Sequence, residues 1–325
     1  MSATKKTGSR LLRVLLAALA SFVLLAAGCA ADEEAGNAAS EKDKRAVAEA
    51  ASSEEGVWPV AEVASRVEPS VVQVNVSSIQ TTPYGQREAQ GLGSGVIFRE
   101  DGYVITNNHV VEGADTVNVA FADGSVETGR VVGTDPFTEI AVVKVSRGNL
   151  PAADFADGGD LAVGQLAVAI GNPSGFQSTV TSGVISGLHR EIPPEITGGS
   201  QLSALVDLIQ TDAAISPGSS GGALVGRDAK VVGINVAYLP PAQTGAVDIG
   251  FAIPADTATD VARQIIEDGK VEHPYLGVGL TDLTPEIARR FDISVESGAL
   301  VTRVDPQGPA SDAGIEPGGV ITAVG

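Results

Sequence analysis

A loop of small residues at positions 216–222 carries the side chain best suited to nucleophilic chemistry. Its sequence is Ser-Pro-Gly-Ser-Ser-Gly-Gly. Glycines permit a tight turn and let backbone N–H groups converge on one point. Acyl transfer requires a reactive oxygen beside such donors, because they stabilise the developing oxyanion. Ser220 is therefore the candidate nucleophile, with the N–H groups of Gly218 and Ser220 as candidate oxyanion donors. For the loop alone, the alternative is an ordinary Gly/Ser hairpin.

The candidate general base for this serine is His109. The chain contains three histidines, His109, His189 and His273. His109 follows a strand-like stretch and precedes the serine loop with an acidic residue between them, which fits the chain order base, acid, nucleophile. His189 lies beside charged residues in a predicted loop, and His273 lies in a predicted linker. Neither of these two has comparable surroundings.

Six stretches besides the serine loop give this pattern a specific resemblance. They are residues 93–97, 106–111, 135–145, 169–173, 210–215 and 250–254. In this order and spacing they resemble the HtrA (high-temperature-requirement) serine proteases, from about residue 60 to the C-terminus. The resemblance implies a mainly all-β fold: a chymotrypsin-like double six-stranded β-barrel with a C-terminal helix, followed by a PDZ domain of the α+β class. It places His109 in the first barrel and Ser220 in the second.

One departure from the family pattern concerns the acid that orients the histidine. The family reads Thr-Asp-Leu-Ala, whereas this chain reads Thr-Glu-Ile-Ala with Glu139 at the acidic position. A glutamate can accept the imidazole N–H and stabilise the imidazolium, but it is one methylene longer. Because a misplacement of about 1 Å can cost roughly 100-fold in rate, we expect reduced activity and not a dead enzyme. The nearby alternative carboxylate is Asp135, whose position before a proline favours a role in a turn.

A second departure is Ser219, where the family usually has asparagine. It places another hydroxyl next to the candidate nucleophile. The register and the two following glycines favour Ser220 as the nucleophile.

Substrate preference is predicted from the position six residues before the nucleophile, which is Ala214. Ile215 follows it, and Val236 lies in the strand expected to pair with the substrate backbone. None of these three side chains can pair with a lysine or an arginine. We expect a small apolar S1 pocket that takes valine, alanine, isoleucine or leucine and discriminates by only about 1–3 kcal/mol per methylene.

Composition and charge exclude some classes of function. The chain has 325 residues, 43% of them hydrophobic and 4% aromatic, and a formal net charge of −19. Such a core must be built from aliphatic side chains, which suits many short strands. Nucleic acid is an unfavourable partner because like charges repel the phosphate backbone. The supply of cysteine and histidine is too poor for a zinc site, so no metal or organic cofactor is implied.

The N-terminus has the pattern of an export signal. Basic residues at positions 5, 6, 10 and 13 precede an apolar stretch over 14–27, which ends in small residues before Cys29, the single cysteine. This resembles a bacterial lipobox, with alanine in place of the usual leucine, and predicts cleavage and lipidation at Cys29. The alternative is an uncleaved anchor over residues 14–31, since these 18 residues are barely enough to span a bilayer. Either form would hold the protein at the cytoplasmic membrane, facing the outside.

Patterning divides the rest of the chain. Short β-rich stretches separated by turn signals are predicted at 71–76, 95–98, 103–106, 117–121, 126–132, 140–145, 166–170, 179–186, 205–210, 223–225, 231–237 and 250–253. Strand number alone leaves barrels and a sandwich open. A short helix is predicted over 60–67 and an amphipathic helix over 255–268. The predicted organisation is a signal and lipobox at 1–29, a disordered acidic stalk at 30–57, a trypsin-like protease domain at 58–269 and a linker at 270–274.

Residues 275–325 are predicted to form the N-terminal part of a PDZ domain. Tyr275, Leu276, Gly277 and Val278 resemble the loop with which such domains bind a peptide carboxylate through backbone N–H groups. A PDZ domain needs about 80–100 residues, within the ordinary range for a domain. We therefore expect this part to be incomplete and to bind peptide weakly or not at all.

The sequence thus predicts a serine endopeptidase of the cell envelope, of the protein quality-control type, that cleaves unfolded or extended polypeptides. The alternative is a catalytically weak or silent, chaperone-like relative that binds unfolded chains in the same groove. The family resemblance also implies a homo-oligomer, most simply a trimer.

Overall fold

The structure, a computed structural model, describes residues 60–82, 85–157, 161–172, 178–192, 205–238 and 249–323. The chain divides into two compact units between Arg263 and Gln264. The first unit contains both halves of the candidate active site. The signal and lipobox with Cys29, and the stalk predicted at 30–57, lie outside the described residues.

The first six strands close into an antiparallel barrel with the order β1-β2-β3-β6-β5-β4. These strands are β1 (Val71–Thr82), β2 (Gly85–Arg99), β3 (Tyr103–Asn107), β4 (Thr116–Ala120), β5 (Val126–Asp135) and β6 (Ile140–Val145). Aliphatic side chains fill its interior, among them Val72, Val74, Ile97, Val104, Val119 and Val143. Each fully buried side chain of this size contributes about 1.5–3 kcal/mol of transfer free energy.

The next six strands close into a second antiparallel barrel, with the order β10-β11-β12-β9-β8-β7. They are β7 (Leu166–Gly171), β8 (Thr179–Ile192), β9 (Leu205–Thr211), β10 (Ala223–Val225), β11 (Val231–Tyr238) and β12 (Gly250–Pro254). Its core includes Ala167, Ile185, Ile209, Leu224 and Ala252. The predicted double six-stranded barrel is confirmed, and the sandwich left open by strand number is excluded.

The hairpin of β1 and β2 is longer than predicted. Its pairing runs without interruption from Val71 opposite Val96 to Thr82 opposite Gly85. The outer part of β2 is mostly exposed. Since it packs on no core there, its sequence lacks the apolar alternation that reveals a strand.

The first unit contains α1 (Val60–Val67), which a 3₁₀ turn (Glu68–Ser70) follows, and α2 (Asn108–Val111), and a third helix, α3 (Ala255–Asp268), crosses the division between the two units. Helix α3 has the predicted bounds, and Gly269 follows it with a φ of 72°. Such a left-handed residue is the common way to end a helix. Helix α2 was not predicted, because four residues are too few to show helical periodicity.

The second unit contains β13 (Val278–Asp282), α4 (Pro285–Phe291), β14 (Ala299–Val304), α5 (Pro309–Asp312) and β15 (Val320–Ile321). The strands form an antiparallel sheet in the order β13-β14-β15. Thr284 caps α4 by accepting a hydrogen bond from the N–H of Ile287 at 3.3 Å. Pro285 then occupies the first turn, where its missing N–H removes no helical hydrogen bond.

Candidate active site

Ser94 of β2 joins the two barrels directly behind the serine loop. Its N–H donates to the carbonyl of Ser220 at 2.8 Å. Its hydroxyl donates to the carbonyl of Gly218 at 2.6 Å and accepts from the N–H of Asn172 at 2.8 Å. Ser94 is fully buried. Two of these bonds fix the serine loop of the second barrel to a strand of the first, and the third fixes the residue that follows β7.

The serine loop is a pair of tight turns just before β10. The N–H of Ser219 donates to the carbonyl of Ser216 at 2.9 Å, and that of Gly222 donates to Ser219 at 3.0 Å. Gly218 and Gly221 have φ values of 94° and 84°, a left-handed conformation that favours glycine. A Cβ added at Gly221 would also collide with the backbone of Ser94. This position therefore excludes any side chain.

The same turns leave two N–H groups without acceptors. The N–H of Ser219 donates to the carbonyl of Ser216, and the N–H of Gly221 donates to the carbonyl of Asn235. Within the part of the chain that the structure describes, the N–H groups of Gly218 and Ser220 donate to no acceptor. Two unpaired donors, one of them the N–H of the candidate nucleophile itself, are what an oxyanion site needs.

His109 lies on α2, which follows the buried strand β3. Gly93 locates this helix relative to the serine. A Cβ added at Gly93 would lie 2.6 Å from Cγ1 of Val110 and 3.3 Å from the carbonyl oxygen of Ser220. The residue after His109 and the candidate nucleophile therefore flank the same glycine. The His109 side chain is 40% exposed, so its ring is open to a substrate.

Glu139 lies between β5 and β6 and faces His109. Its Oε2 is 2.7 Å from Nδ1 of the imidazole and accepts the backbone N–H of His109 at 3.3 Å. The Glu139 side chain is only 1% exposed. A carboxylate at this distance from Nδ1 keeps the proton there and leaves Nε2 free to act as a base.

Two asparagines before His109 complete the surroundings of Glu139. Nδ2 of Asn107 and the N–H of Asn108 donate to the Glu139 carbonyl at 3.1 Å and 3.0 Å. Nδ2 of Asn108 faces Oε1 of the same residue at 3.4 Å. Glu139 has a φ of 61°, and the two bonds to its carbonyl hold it in this rarely used conformation. The sequence analysis assigned no role to either asparagine.

The hydroxyl of Ser220 donates to the carbonyl of Val236 at 3.5 Å. Among the described residues, no hydrogen bond joins this hydroxyl to the imidazole of His109. Catalytic hydrogen bonds are often long or misaligned before substrate binds. Ser220 and His109 are thus neighbours whose side chains do not hydrogen-bond to each other in this structure.

Asp135, the alternative acid, has a different environment. Its carboxylate accepts the N–H of Phe137 at 3.3 Å and the hydroxyl of Thr138 at 2.6 Å. These bonds close the turn that leads into Glu139. The structure therefore places Asp135 in the turn and Glu139 against the imidazole.

Ser219 points away from the open side of the site. It is 4% exposed, and its hydroxyl lies 3.5 Å from that of Ser216. A Cβ added at Gly171 would lie 2.8 Å from Cα of Ser219, which shows how closely β7 packs behind it. Ser220 is only partly buried.

The three residues predicted for the S1 pocket have unequal surroundings. Ile215 and Val236 are buried. Ala214 is exposed, and its carbonyl accepts the hydroxyl of Thr181 at 2.8 Å. A Cβ added at Gly250 would lie 2.8 Å from Cδ1 of Ile215, so this isoleucine packs directly on the backbone of β12. Gly250 is a residue that the sequence analysis did not assign to the pocket.

A second histidine–carboxylate pair lies on the second barrel. Nδ1 of His189 is 2.5 Å from Oδ1 of Asp207, and both residues have positive φ. Their side chains are 84% and 58% exposed. This pair was not predicted, because the irregular register between β8 and β9 brings the two residues together. No serine, threonine or cysteine among the described residues hydrogen-bonds to the His189 ring.

The predicted carboxylate-binding loop leads into β13 of the second unit. The carbonyls of Leu276 and Gly277 accept the N–H groups of Ala310 and Asp305 at 2.9 Å and 2.7 Å. The Tyr275 hydroxyl donates to Asp305 at 2.9 Å, and this bond raises the pKa of Tyr275. The Gln307 N–H and then Tyr275 lower the pKa of Asp305. Val278 begins β13, which pairs with β14 alone in the described sheet.

Within the described parts of the chain, no three His, Cys, Asp or Glu side chains are grouped so that they could hold a metal ion. No described helix has both the length and the apolar character needed to cross a membrane.

The sequence is similar to known proteins that are named as serine proteases, in agreement with this geometry. The family profile described as a trypsin-like peptidase domain matches residues 93–234. A putative serine protease, HhoB, from Synechocystis sp. is 44% identical over 244 residues, which are 73% of this chain and 57% of that protein. A probable periplasmic serine endoprotease, DegP-like, from Pseudomonas putida is 43% identical over 239 residues, 74% of this chain and 48% of that protein. The chain thus spans about half the length of the curated relatives it matches.

Solved structures of the HtrA-type protease AlgW are also similar. The structure with a decapeptide is 37% identical and has a TM-score of 0.65, covering 80% of this chain and 84% of that one. The structure with a tripeptide is 39% identical and has a TM-score of 0.67, covering 80% and 81%.

Proposed function

Since the chain belongs to the HtrA-type serine proteases, we propose that it is a serine endopeptidase that cleaves unfolded or extended polypeptides. The observation that carries this proposal is the 2.7 Å contact between Oε2 of the buried Glu139 and Nδ1 of His109. It lies beside a serine loop fixed by Ser94. A carboxylate, an imidazole and a hydroxyl in this order are the parts of an acyl-enzyme mechanism.

The proposed reaction begins when the Ser220 hydroxyl turns from Val236 towards Nε2 of His109. His109 takes the hydroxyl proton as Oγ attacks the scissile carbonyl carbon, whose oxygen becomes the oxyanion. The N–H groups of Gly218 and Ser220 stabilise this charge. The tetrahedral intermediate then expels the amine, which receives the proton from His109. Water, activated by the same histidine, releases the acid and restores the serine.

Glu139 orients His109 through this cycle and offsets the positive charge of the imidazolium. Its burial matters because a charge interaction is stronger where water is excluded. Its hydrogen bond to the backbone of His109 also fixes the start of α2 relative to β6.

The side of β11 next to Ser220 supports a preference for extended substrates. β10 pairs with β11 only as far as Ile234. Beyond that residue β11 continues to Tyr238, with β12 on its other side. Among the described residues, no strand pairs with this side of β11 from Val236 onward, and the Val236 carbonyl contacts the Ser220 hydroxyl. A polypeptide can add to this edge only as an extended strand, which folded proteins rarely offer.

We extend the proposal to the second unit and to the N-terminus. The loop of Tyr275, Leu276 and Gly277 and the side of β13 that pairs with no described strand fit the start of a PDZ domain, which we expect to bind a peptide C-terminus only weakly. Matched relatives are named as periplasmic. A location outside the cytoplasm therefore fits, with residues 1–29 as the export signal and Cys29 as the lipidated residue. A trimeric assembly remains part of this proposal.

One observation favours a second candidate, a silent chaperone-like binder. The Ser220 hydroxyl is directed to Val236 and not to His109, and the acid is the longer glutamate. A protein fixed in this state would bind extended chains along β11 without cutting them.

Labelling with a fluorophosphonate separates the two candidates. The wild type and Ser219→Ala should be labelled, and Ser220→Ala should not. Degradation of casein should follow the same order. An unlabelled wild type that still binds casein would overturn the protease proposal in favour of the binder.

A further inference from the structure

The backbone of Glu139 is fixed independently of its side chain. Asn107 and Asn108 donate to its carbonyl from two directions, through Nδ2 at 3.1 Å and through N–H at 3.0 Å. The positive φ of Glu139 keeps this arrangement only while the bonds hold. The direction in which the side chain leaves the backbone is therefore set by the residues before His109.

From this fixed point the Glu139 side chain must still place its carboxylate. A glutamate has one more rotatable bond than an aspartate, so more positions of its oxygens are accessible. In the structure the two oxygens have separate tasks. Oε2 accepts both N–H groups of His109, and Oε1 faces Nδ2 of Asn108 at 3.4 Å. Asn108 is 3% exposed and Glu139 is fully buried, so bulk water does not reach this contact.

We infer that Asn108 is a positioning residue that fits the longer acid to the imidazole. The inference deepens the proposed function and rests on it. Without the amide, Oε1 would be a buried charged oxygen that has lost its donor. The terminal torsion of Glu139 would then turn to find another partner, and Oε2 would leave Nδ1 of His109. The amide thus removes the freedom that the additional methylene introduces.

Asn108 can have this role only when residue 139 is a glutamate. An aspartate built on the same backbone ends about 1.5 Å earlier, the length of one carbon–carbon bond. Its carboxylate would be withdrawn from Nδ2 of Asn108, which is already 3.4 Å away from Glu139. Asn108 should therefore matter for turnover only when residue 139 is a glutamate.

The test is a double-mutant cycle of Asn108→Ala and Glu139→Asp, with kcat and KM measured on a peptide substrate for all four proteins. Asn108→Ala alone should lower kcat roughly 10- to 100-fold, the range expected for a displaced catalytic group. KM should change less than about twofold, because Asn108 lies behind the acid and not in the substrate groove. In the Glu139→Asp background, the same substitution should change kcat less than about threefold.

Controls separate positioning from damage to the fold. Asn118→Ala removes an asparagine on β4 that hydrogen-bonds Thr128, and kcat should not change. If Asn108→Ala is unstable by melting temperature, Asn108→Asp keeps the shape, loses the donor, and should lose at least as much kcat. Equal losses in both backgrounds, or no loss with Glu139 present, would overturn the inference alone. A wild type that is neither labelled nor active would overturn the proposed function instead.

Discussion

A single oxygen of Glu139 contacts His109 twice, at its ring nitrogen Nδ1 and at its backbone N–H, at 2.7 Å and 3.3 Å. The acid thus fixes both the imidazole and the helix that carries it. This arrangement distinguishes Glu139 from Asp135, whose carboxylate accepts hydrogen bonds from Phe137 and Thr138 of the turn that follows it. Substitutions of the two acids should therefore have different consequences.

Glu139→Ala should lower kcat by roughly 10²- to 10⁴-fold, because the imidazole loses the group that selects its tautomer. Asp135→Ala should have a much smaller effect on kcat and act mainly on stability, through the turn over residues 135–138. Steady-state kinetics on one peptide, with melting temperatures, would measure both effects. The reverse ranking of the two kcat values would show that Asp135 is the acid.

Gly221→Ala should prevent the serine loop from closing on Ser94. The new Cβ would meet the backbone of Ser94 and lie 2.5 Å from Oγ1 of Thr106. Gly113→Ala is the matched control, since Gly113 also has positive φ but has no atom within 4 Å of an added Cβ. The control should cost about 1–2 kcal/mol from its backbone alone. Gly221→Ala should cost at least 1–3 kcal/mol more, measured by urea unfolding, and similar losses would contradict the predicted collision.

Ile215→Ala should enlarge the site that receives the substrate side chain. Ile215 packs on Gly250 at the start of β12, so its removal leaves space along the strand next to Val236. Cleavage of a peptide library should move from valine and alanine towards leucine or phenylalanine. Ile79→Ala removes an exposed isoleucine and should leave the preference unchanged. Cleavage after lysine or arginine by the wild type would contradict an apolar pocket.

Asp123→Asn should change how stability depends on pH. Hydrogen bonds from Arg147, and then from Ser125, hold the pKa of Asp123 well below its usual value. The folded state therefore gains stability from the ionised carboxylate above the unfolded pKa of about 3.9, and loses it as pH falls below that value. The variant should be slightly less stable than the wild type at pH 7, and the difference should shrink below about pH 4. Glu88→Gln, an exposed carboxylate on the same barrel, should show no such convergence in urea unfolding from pH 2.5 to 7.

Much of the fold was predictable from local pattern. The twelve barrel strands follow short aliphatic stretches, and α3 follows an amphipathic period that ends at Gly269. The outer part of the β1–β2 hairpin was not predictable, because it is stabilised by cross-strand pairing and not by a buried face. Helix α2 is too short to have a period.

The residues of the candidate site could be predicted from the sequence, but the hydrogen bonds that hold them in place could not. The types and order of His109, Glu139 and Ser220 indicated the chemistry. The positive φ of Glu139 could not be foreseen, because it depends on hydrogen bonds from Asn107 and Asn108. The pair of His189 and Asp207 depends on an irregular strand register that no local pattern encodes.

The bonds of Ser94 have a consequence for how proteins of this kind can be recombined. One side chain of the first barrel holds two segments of the second, at Gly218 and Asn172. A hybrid with the first barrel of one homologue and the second barrel of another would keep these hydrogen bonds only if both parents form them in the same way. Substitutions at this contact must therefore be compatible between the two barrels, even though each barrel closes by itself.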